Sequence, residues 1–124
     1  MKLKFFSLAR TISQKSKSYP RMGCVIVQKN KVISVGFNDR HKTHPKCKTR
    51  DNKIHAELHA VIGISAANLK GSHVYVYREY ADGRLAMAKP CEFCHAALIE
   101  AGVKMVFYTT YGGYDQYRIE KDGR

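Results

Sequence analysis

The segment Pro90-Cys91-Glu92-Phe93-Cys94, together with His55-Ala56-Glu57 earlier in the chain, places the tightest constraint on how this sequence can fold. Two cysteines three residues apart on the first turn of a helix present both thiols on one face. The helix N-terminus and a divalent cation both favour the ionised sulfurs. A distant His would complete a three-ligand zinc site with its fourth position open for water, which is the catalytic rather than the structural pattern. The sequence therefore predicts a fold that brings these two segments together around one zinc ion.

The composition predicts one domain, residues 1–124, that folds without disulfide bonds. A chain of 124 residues can bury a core of its own. No apolar run approaches the roughly 18 residues that a membrane span needs, and Ser7, Arg10 and Thr11 interrupt the N-terminal apolar residues where a signal peptide would continue. We therefore expect a cytoplasmic protein with no membrane partner, whose four cysteines are metal ligands or free thiols.

The net charge of +12 lies entirely before the first of the two motifs. Residues 1–53 contain fourteen Lys and Arg against two Asp, whereas residues 54–124 contain eight basic and eight acidic residues. Such one-sided charge is typical of a protein with a polyanion partner such as single-stranded nucleic acid. A lysine-rich surface that only aids solubility is the alternative. On the first interpretation, the predicted nucleic-acid-binding residues lie in the loop before His55: Lys42, Lys46, Lys48 and Arg50.

The hydrophobic pattern predicts the order helix, hairpin, helix, strand, helix, strand. Apolar residues at helical spacing indicate the helices, and β-branched or alternating apolar runs indicate the strands. Strands joined through single helices imply a mixed sheet covered by helices, and both motifs then begin helices at one end of that sheet. The predicted helices span residues 3–18, 55–68 and 91–101, the strands 23–27, 31–37, 72–77 and 103–109, and the irregular segments 38–53, 78–89 and the tail from 112.

These features resemble the cytidine deaminase superfamily, in the branch that contains deoxycytidylate deaminases, tRNA adenosine deaminases and polynucleotide cytosine deaminases. The likeness covers most of the chain, including the hairpin end Gly36-Phe37-Asn38, both zinc motifs, and the closing helix and strand through Tyr108. His-x-Glu followed by Pro-Cys-x-x-Cys is the signature of zinc nucleobase deaminases. The resemblance implies a cytidine-deaminase-like, three-layer α/β/α domain with a mixed β-sheet flanked by helices.

Carried over by motif, the resemblance implies that His55, Cys91 and Cys94 hold one zinc ion per chain and that Glu57 is the catalytic proton shuttle. The chemistry of these groups supports those roles, because zinc lowers the pKa of bound water towards about 7. Glu57 would take the proton of that water, protonate the ring nitrogen beside the attacked carbon, and later help ammonia to leave.

Four further residues are predicted to bind substrate. By resemblance, Asn38 corresponds to the residue that contacts the sugar of the target nucleotide, although an Asn after a strand is also a common turn residue. Ala56 and Pro90 adjoin zinc ligands at helix starts, whose backbone N–H groups point towards the site and could bond the carbonyl oxygen of the base. Tyr108 either stacks on the base or is a half-buried core tyrosine.

Other interpretations of the cysteines stay open. Cys91 and Cys94 could form a redox pair, or the zinc could be structural if Cys24, Cys47 or a nearby His supplied a fourth ligand. Glu57 argues against a structural site, because such a site has no use for a carboxylate beside it. Cys24 itself lies within an apolar strand and is predicted to be a small core residue.

Four histidines outside the ligand set carry open alternatives as well. His41 and His44 recur with Cys47 at intervals of three and could bind a second metal, or could belong to a plain basic loop. His59 lies one turn after His55 and is a weaker catalytic candidate. His95 follows Cys94 and is predicted to support the site or to lie on the surface.

Three functions compete for the same site. The main interpretation is zinc-dependent hydrolytic deamination of cytosine in single-stranded DNA or RNA, because fourteen basic residues exceed what one phosphate requires. The alternative is a deaminase of a free nucleotide such as dCMP, or of a nucleoside. A deaminase of adenine in tRNA, or a non-catalytic nucleic-acid-binding relative, comes third. The sequence leaves the oligomeric state open, with a homo-oligomer as one alternative.

Overall fold

The computed structural model describes residues 1–17, 20–38, 55–62 and 64–119, in which five strands form one sheet with helices on both faces. The strand order across the sheet is β2-β1-β3-β4-β5. The elements, in chain order, are α1 (Leu3–Ser13), β1 (Arg21–Gln28), β2 (Lys31–Phe37), α2 (Ala56–Val61), α3 (Ala66–Leu69), β3 (His73–Glu79), α4 (Glu92–Ala101), β4 (Met105–Thr109) and β5 (Tyr114–Arg118).

The sheet is mixed, as the sequence predicts. β1 is antiparallel to both of its neighbours, β2 and β3. β3 and β4 are parallel and are joined through α4, since parallel strands need a long crossover connection. β5 returns antiparallel to β4 at the edge of the sheet.

Alternation along the strands divides the core into two layers. Val25 and Val27 of β1 pack with the aromatic side chains of β3, β4 and α1 on one face of the sheet. Cys24 and Ile26 point to the opposite face, which packs against α2 and α4. β1 is buried from Gly23 to Val27, which confirms it as a central strand. The predicted three-layer α/β/α arrangement is therefore confirmed.

The helix that begins after His55 packs directly on β2 at Gly36. A Cβ atom at Gly36 would lie 2.5 Å from the backbone nitrogen of Ala60 and 2.6 Å from the carbonyl oxygen of Ala56. The missing side chain thus allows the backbones of α2 and β2 to come close together. This contact sets the depth of α2 relative to the sheet.

Two predicted helices are too long. The first ends at Ser13 rather than at residue 18, and the hydroxyl of Ser16 donates to the carbonyl of Asn38 instead of continuing the helix. The helix predicted over 55–68 is interrupted: α2 ends at Val61, and Ser65 accepts the N–H of Asn68 as the cap of the short α3.

The predicted polar tail contains a strand, β5, that the sequence prediction missed. Four of its five side chains are exposed, and only Tyr117 is half-buried. With only one partly buried side chain, the strand has no alternating apolar pattern that would reveal it in the sequence. Among the described residues the longest helix has eleven residues, and none has the length and hydropathy to span a membrane.

Candidate metal centre and active site

The structure brings His55, Cys91 and Cys94 together across 36 residues of chain. The Nδ1 atom of His55 lies 3.7 Å from the sulfur of Cys91 and 3.5 Å from that of Cys94. All three ligand atoms lie within 4.8 Å of one another. Ordinary zinc–nitrogen and zinc–sulfur bonds in a tetrahedron separate N and S by about 3.6 Å. One imidazole and two thiols at these separations fit a single zinc ion.

Both ligand segments are positioned by helix starts. The N–H of His59 donates to the carbonyl of His55 at 2.9 Å, which makes His55 the residue before the first turn of α2. Cys91 is extended, with φ −67° and ψ 170°, and caps α4, which ends at Gly102 in the left-handed conformation. Proline at position 90 is favourable there because it precedes the helix and is not needed as a backbone donor. The two thiols consequently lie at the positive end of the α4 dipole.

Glu57, in the first turn of α2, is 2% exposed. Its Oε1 atom is buried and has no hydrogen-bond partner among the described residues. Burial raises the pKa of the Glu57 carboxyl, while a backbone hydrogen bond and the charges of His55 and Arg78 act in the opposite direction. A buried carboxylate oxygen without a partner is costly. Oε1 of Glu57 is therefore an unused acceptor two residues after the ligand His55.

The thiols of the site differ in exposure. Cys91 is exposed, whereas Cys94 is fully buried, and burial together with the nearby Glu57 raises the pKa of the Cys94 thiol. A cation between the ligand atoms favours the thiolate and so offsets this effect. Cys24 is buried in the core, as predicted, and burial raises the pKa of its thiol too. Among the described residues no fourth His, Cys, Asp or Glu joins the ligand group.

The four predicted substrate-binding residues lie in different environments. The amide oxygen of Asn38 accepts the N–H of Met22 at 2.9 Å, and its amide nitrogen donates to the carbonyl of Pro20 at 3.1 Å. Asn38 thus ties the end of β2 to the start of β1, and its contact with a sugar stays a prediction.

Ala56 and Pro90 are buried beside the ligands His55 and Cys91. Tyr108 is 7% exposed in the core cluster on the same face of the sheet. Burial and Asp115 raise the pKa of its phenol. Tyr108 therefore has the environment of a core tyrosine.

Two histidines near the ligands have partners in neighbouring strands. The Nδ1 atom of His59 lies 3.0 Å from both the backbone nitrogen and the carbonyl oxygen of Phe37, so it links α2 to the end of β2. The Nδ1 atom of His95 lies 2.9 Å from the hydroxyl of Tyr117. Burial and then Glu57 raise the pKa of Tyr117 to about 12. His95 therefore contacts the strand that the sequence prediction missed.

Arg78 is a further residue near the site that the motif analysis missed. It belongs to β3, two residues beyond Val76 on the same face of the strand. The sequence signal for Arg78 was the alternation of β3. This strand continues to Glu79, two residues beyond the predicted strand end at residue 77. Several predicted residues lie outside the described part of the chain: His41, Lys42, His44, Lys46, Cys47, Lys48 and Arg50.

Comparison with known protein families gives a match over most of the chain. The family described as "Cytidine and deoxycytidylate deaminase zinc-binding region" matches residues 1–110. A deoxycytidylate deaminase of Homo sapiens is 27% identical over 119 residues, covering 84% of this chain and 61% of the relative. A probable deoxycytidylate deaminase of Caenorhabditis elegans is 32% identical over 118 residues, covering 85% and 55%. The chain thus spans little more than half the length of these curated relatives.

Solved structures show the same fold at lower sequence identity. A cytidine deaminase from Burkholderia pseudomallei superposes with a TM-score of 0.69 at 19% identity, covering 95% of this chain and 92% of that one. A dCMP deaminase from the cyanophage S-TIM5 superposes with a TM-score of 0.64 at 22% identity, covering 89% and 86%. The mixed sheet with its flanking helices is therefore the fold of these proteins.

Proposed function

The chain belongs to the cytidine and deoxycytidylate deaminase zinc-binding family, and on that premise we propose that it hydrolytically deaminates cytosine in a free nucleotide, dCMP. One observation carries the proposal: three ligand atoms that fit zinc come together at the start of the helix that holds the buried carboxyl of Glu57, whose Oε1 atom has no described partner. A purely structural zinc site would not require that carboxyl. The arrangement suits attack of water on a polarised ring carbon.

The residues divide the chemistry between them. His55, Cys91 and Cys94 hold the zinc ion, which when bound acidifies water enough to supply a nucleophile at neutral pH. The oxygen of that water bonds to C4 while Oε1 of Glu57 takes one of its protons and delivers it to N3 of the cytosine ring. Glu57 then takes the remaining proton from this oxygen and transfers it to the amino group on C4. The C4–N bond breaks, ammonia leaves, and the oxygen stays as the carbonyl at C4.

The helix starts orient the base in this proposal. The first turns of α2 and α4 follow the ligands His55 and Cys91, and in this proposal the backbone N–H of Ala56 bonds the base carbonyl at C2. Asn38 would contact the sugar. Its bonds to Met22 and Pro20 use one acceptor and one donor of the amide, and each of these two atoms has capacity for one more bond.

The choice of a free nucleotide rests on the relatives. The curated proteins named above are deoxycytidylate deaminases, which favours the alternative over the polynucleotide interpretation predicted first from charge. That interpretation depended on the fourteen basic residues of positions 1–53, six of which lie outside the described residues. A single substrate phosphate needs only two or three of the basic side chains.

A substrate panel tests the proposal. Zinc-loaded protein is incubated with dCMP, deoxycytidine, cytidine, single-stranded DNA and RNA, and deamination is read by mass spectrometry, with Glu57→Ala as the inactive control. We expect the highest kcat/KM for dCMP. Higher efficiency on DNA or RNA would restore the polynucleotide interpretation, and no turnover of any substrate would refute deamination.

A further inference from the structure

Arg78 lies on the face of the sheet that carries the metal centre. Alternation along β3 places it on the same side as Val74 and Val76, which pack against α2. Its partner across the sheet is Met22, whose N–H donates to the side chain of Asn38. Arg78 therefore stands at the end of the sheet where the predicted sugar contact lies.

The segment that leads to the metal ligands holds Arg78 in place. One terminal nitrogen of its guanidinium donates to the carbonyl of Met87 at 3.1 Å, four residues before Cys91. Its backbone carbonyl accepts the N–H of Ala86, and its backbone N–H donates to the hydroxyl of Thr109. The guanidinium is thus ordered before any ligand binds, which lowers the entropy cost of binding.

The rest of the guanidinium lacks a described partner. Its Nε atom is buried without a hydrogen bond, and none of the described carboxylates lies within ion-pair distance of it. Oε1 of Glu57, in the helix that packs on the same face of the sheet, is likewise buried without a described partner. One buried donor and one buried acceptor on this face therefore remain without a described partner. Buried polar groups of this kind are normally satisfied by a ligand or by water.

We propose that Arg78 contacts the substrate and donates its Nε–H to an oxygen of the nucleotide. The oxygen is either the carbonyl of the base or an oxygen of the phosphate; a planar, charged donor binds both well. This inference rests on the proposed function, because it concerns the substrate of the same site. It assigns substrate binding to a residue outside both zinc motifs.

Two variants and a matched control test this role. Arg78→Met keeps the unbranched stem of the side chain without its donors, and Arg78→Lys keeps the charge without the planar group. Arg84→Met is the control, because Arg84 lies between β3 and α4, six residues after Arg78, and its side chain is 74% exposed. The assays are kcat/KM for dCMP and for deoxycytidine, zinc per chain, and thermal unfolding. Removing a hydrogen bond from a charged donor lowers kcat/KM roughly 10- to 100-fold.

We expect Arg78→Met to show that loss while it retains one zinc ion, Arg78→Lys to recover part of it, and Arg84→Met to match the parent. A loss with dCMP alone identifies the phosphate as the partner, and an equal loss with deoxycytidine identifies the base. Parental kcat/KM in both Arg78 variants would overturn the inference. Loss of zinc in both variants would also overturn it, since Arg78 would then act only through Met87 on the ligand segment.

The same measurements separate this inference from the proposed function. A parent protein that deaminates none of the substrates contradicts the proposed function alone. In that case equilibrium binding of dCMP to the zinc-loaded parent and to Arg78→Met decides the role of Arg78. Weaker binding by the variant supports the contact, and equal binding, or no binding by the parent, refutes it.

Discussion

Each thiol of the metal centre can be removed singly. Replacing Cys91 or Cys94 by Ser should abolish stoichiometric zinc binding, because a hydroxyl is a much poorer zinc ligand than a thiolate. A ligand present at 1,000 times its Kd stabilises the folded state by about 4 kcal/mol. The variants should therefore also unfold at a lower temperature than the zinc-loaded parent. Metal analysis and thermal unfolding measure the two effects.

Cys24→Ala is the control for these variants. Cys24 is as buried as Cys94 but belongs to the core rather than to the ligand group. The variant should keep one zinc ion per chain and lose only the packing of one sulfur. Zinc retained at full stoichiometry in a protein lacking both Cys91 and Cys94 would contradict the assigned site.

The carboxyl of Glu57 should matter for turnover and not for folding. Glu57→Ala and Glu57→Gln should keep the metal and lose activity by roughly 10²- to 10⁴-fold, the contribution of a general acid–base group. Burial disfavours the charged form of this carboxyl, and relief of that cost offsets the loss of its backbone hydrogen bond, so the free energy of unfolding should fall little. Turnover near that of the parent, with zinc in place, would refute the assigned proton shuttle.

The four residues at the reaction centre could be predicted because their chemistry requires fixed local spacing. His55 and Glu57 are two residues apart, and Cys91 and Cys94 three, so each pair is visible without knowledge of the fold. Arg78 could not be found in this way. Its position opposite Met22 is set by the register of β3, and register depends on strand partners distant in sequence.

The contact between α2 and β2 is a property of two elements that a single substitution can disturb. Gly36→Ala would place a methyl group against the backbone of Ala56 and Ala60, so α2 must move away from the sheet. Overpacking of this kind costs about 1–3 kcal/mol, and the shift would also displace His55. We expect lower stability and weaker zinc affinity, measured by denaturant unfolding and competitive chelation.

Gly113→Ala is the matched control for this experiment, because a Cβ atom there meets nothing within 4 Å. It should leave both quantities close to those of the parent. Equal zinc affinity in Gly36→Ala and the parent would mean that the depth of α2 does not position the metal ligand.

The bond between Tyr117 and His95 joins the edge strand β5 to the helix that carries two metal ligands. Tyr117→Phe removes the hydroxyl and keeps the ring, and should lower the free energy of unfolding by about 1 kcal/mol. Tyr114→Phe, on the same strand and 44% exposed, is the control and should change stability less. Equal unfolding free energies in the two variants would show that the bond contributes nothing.

The pH dependence of stability gives a second check on Tyr117. Its pKa is raised to about 12, above the value near 10 of an unfolded tyrosine. The stabilising contribution of the neutral phenol is therefore complete below about pH 10 and is lost as the pH rises through about 12. Urea unfolding across this range should show a smaller decline in Tyr117→Phe than in the parent.

Elements that bury many apolar side chains could be predicted from the sequence. Elements that bury few could not. β1, buried from Gly23 to Val27, and α4, which ends at Gly102, lie where the sequence places them. β5 was missed because edge strands bury few side chains, and this one has a single half-buried residue. The break after α2 depends on a capping bond from Ser65 that apolar spacing does not reveal.

The uneven charge of the whole chain is the feature least explained by deamination of one small nucleotide. All of the net charge of +12 lies within residues 1–53. A free-nucleotide deaminase uses few of these charges, whereas a polynucleotide enzyme would use many along the strand. Substrate choice and salt dependence are therefore linked, and one set of substitutions distinguishes the two functions.

Neutralising the four basic residues of the loop before His55, by Lys→Gln and Arg→Gln changes, tests this link. These residues are Lys42, Lys46, Lys48 and Arg50. The same number of lysines neutralised around the β1–β2 turn, at the other end of the sheet from Asn38, provides the control. The control residues are Lys2, Lys4, Lys29 and Lys31.

If the substrate is dCMP, the parent should show no salt-sensitive affinity for oligonucleotides, and the loop variant should change only the KM for dCMP. If the substrate is a polynucleotide, affinity should fall with the loop changes for strands of any sequence. The slope of log affinity against log salt should then become shallower by about 0.7 for each phosphate of the single strand that the loop no longer neutralises. Oligonucleotide binding, measured at two salt concentrations in the parent and in both variants, decides between dCMP and a polynucleotide as the substrate. Strong, salt-sensitive binding in the parent that only the loop changes weaken would contradict the dCMP proposal.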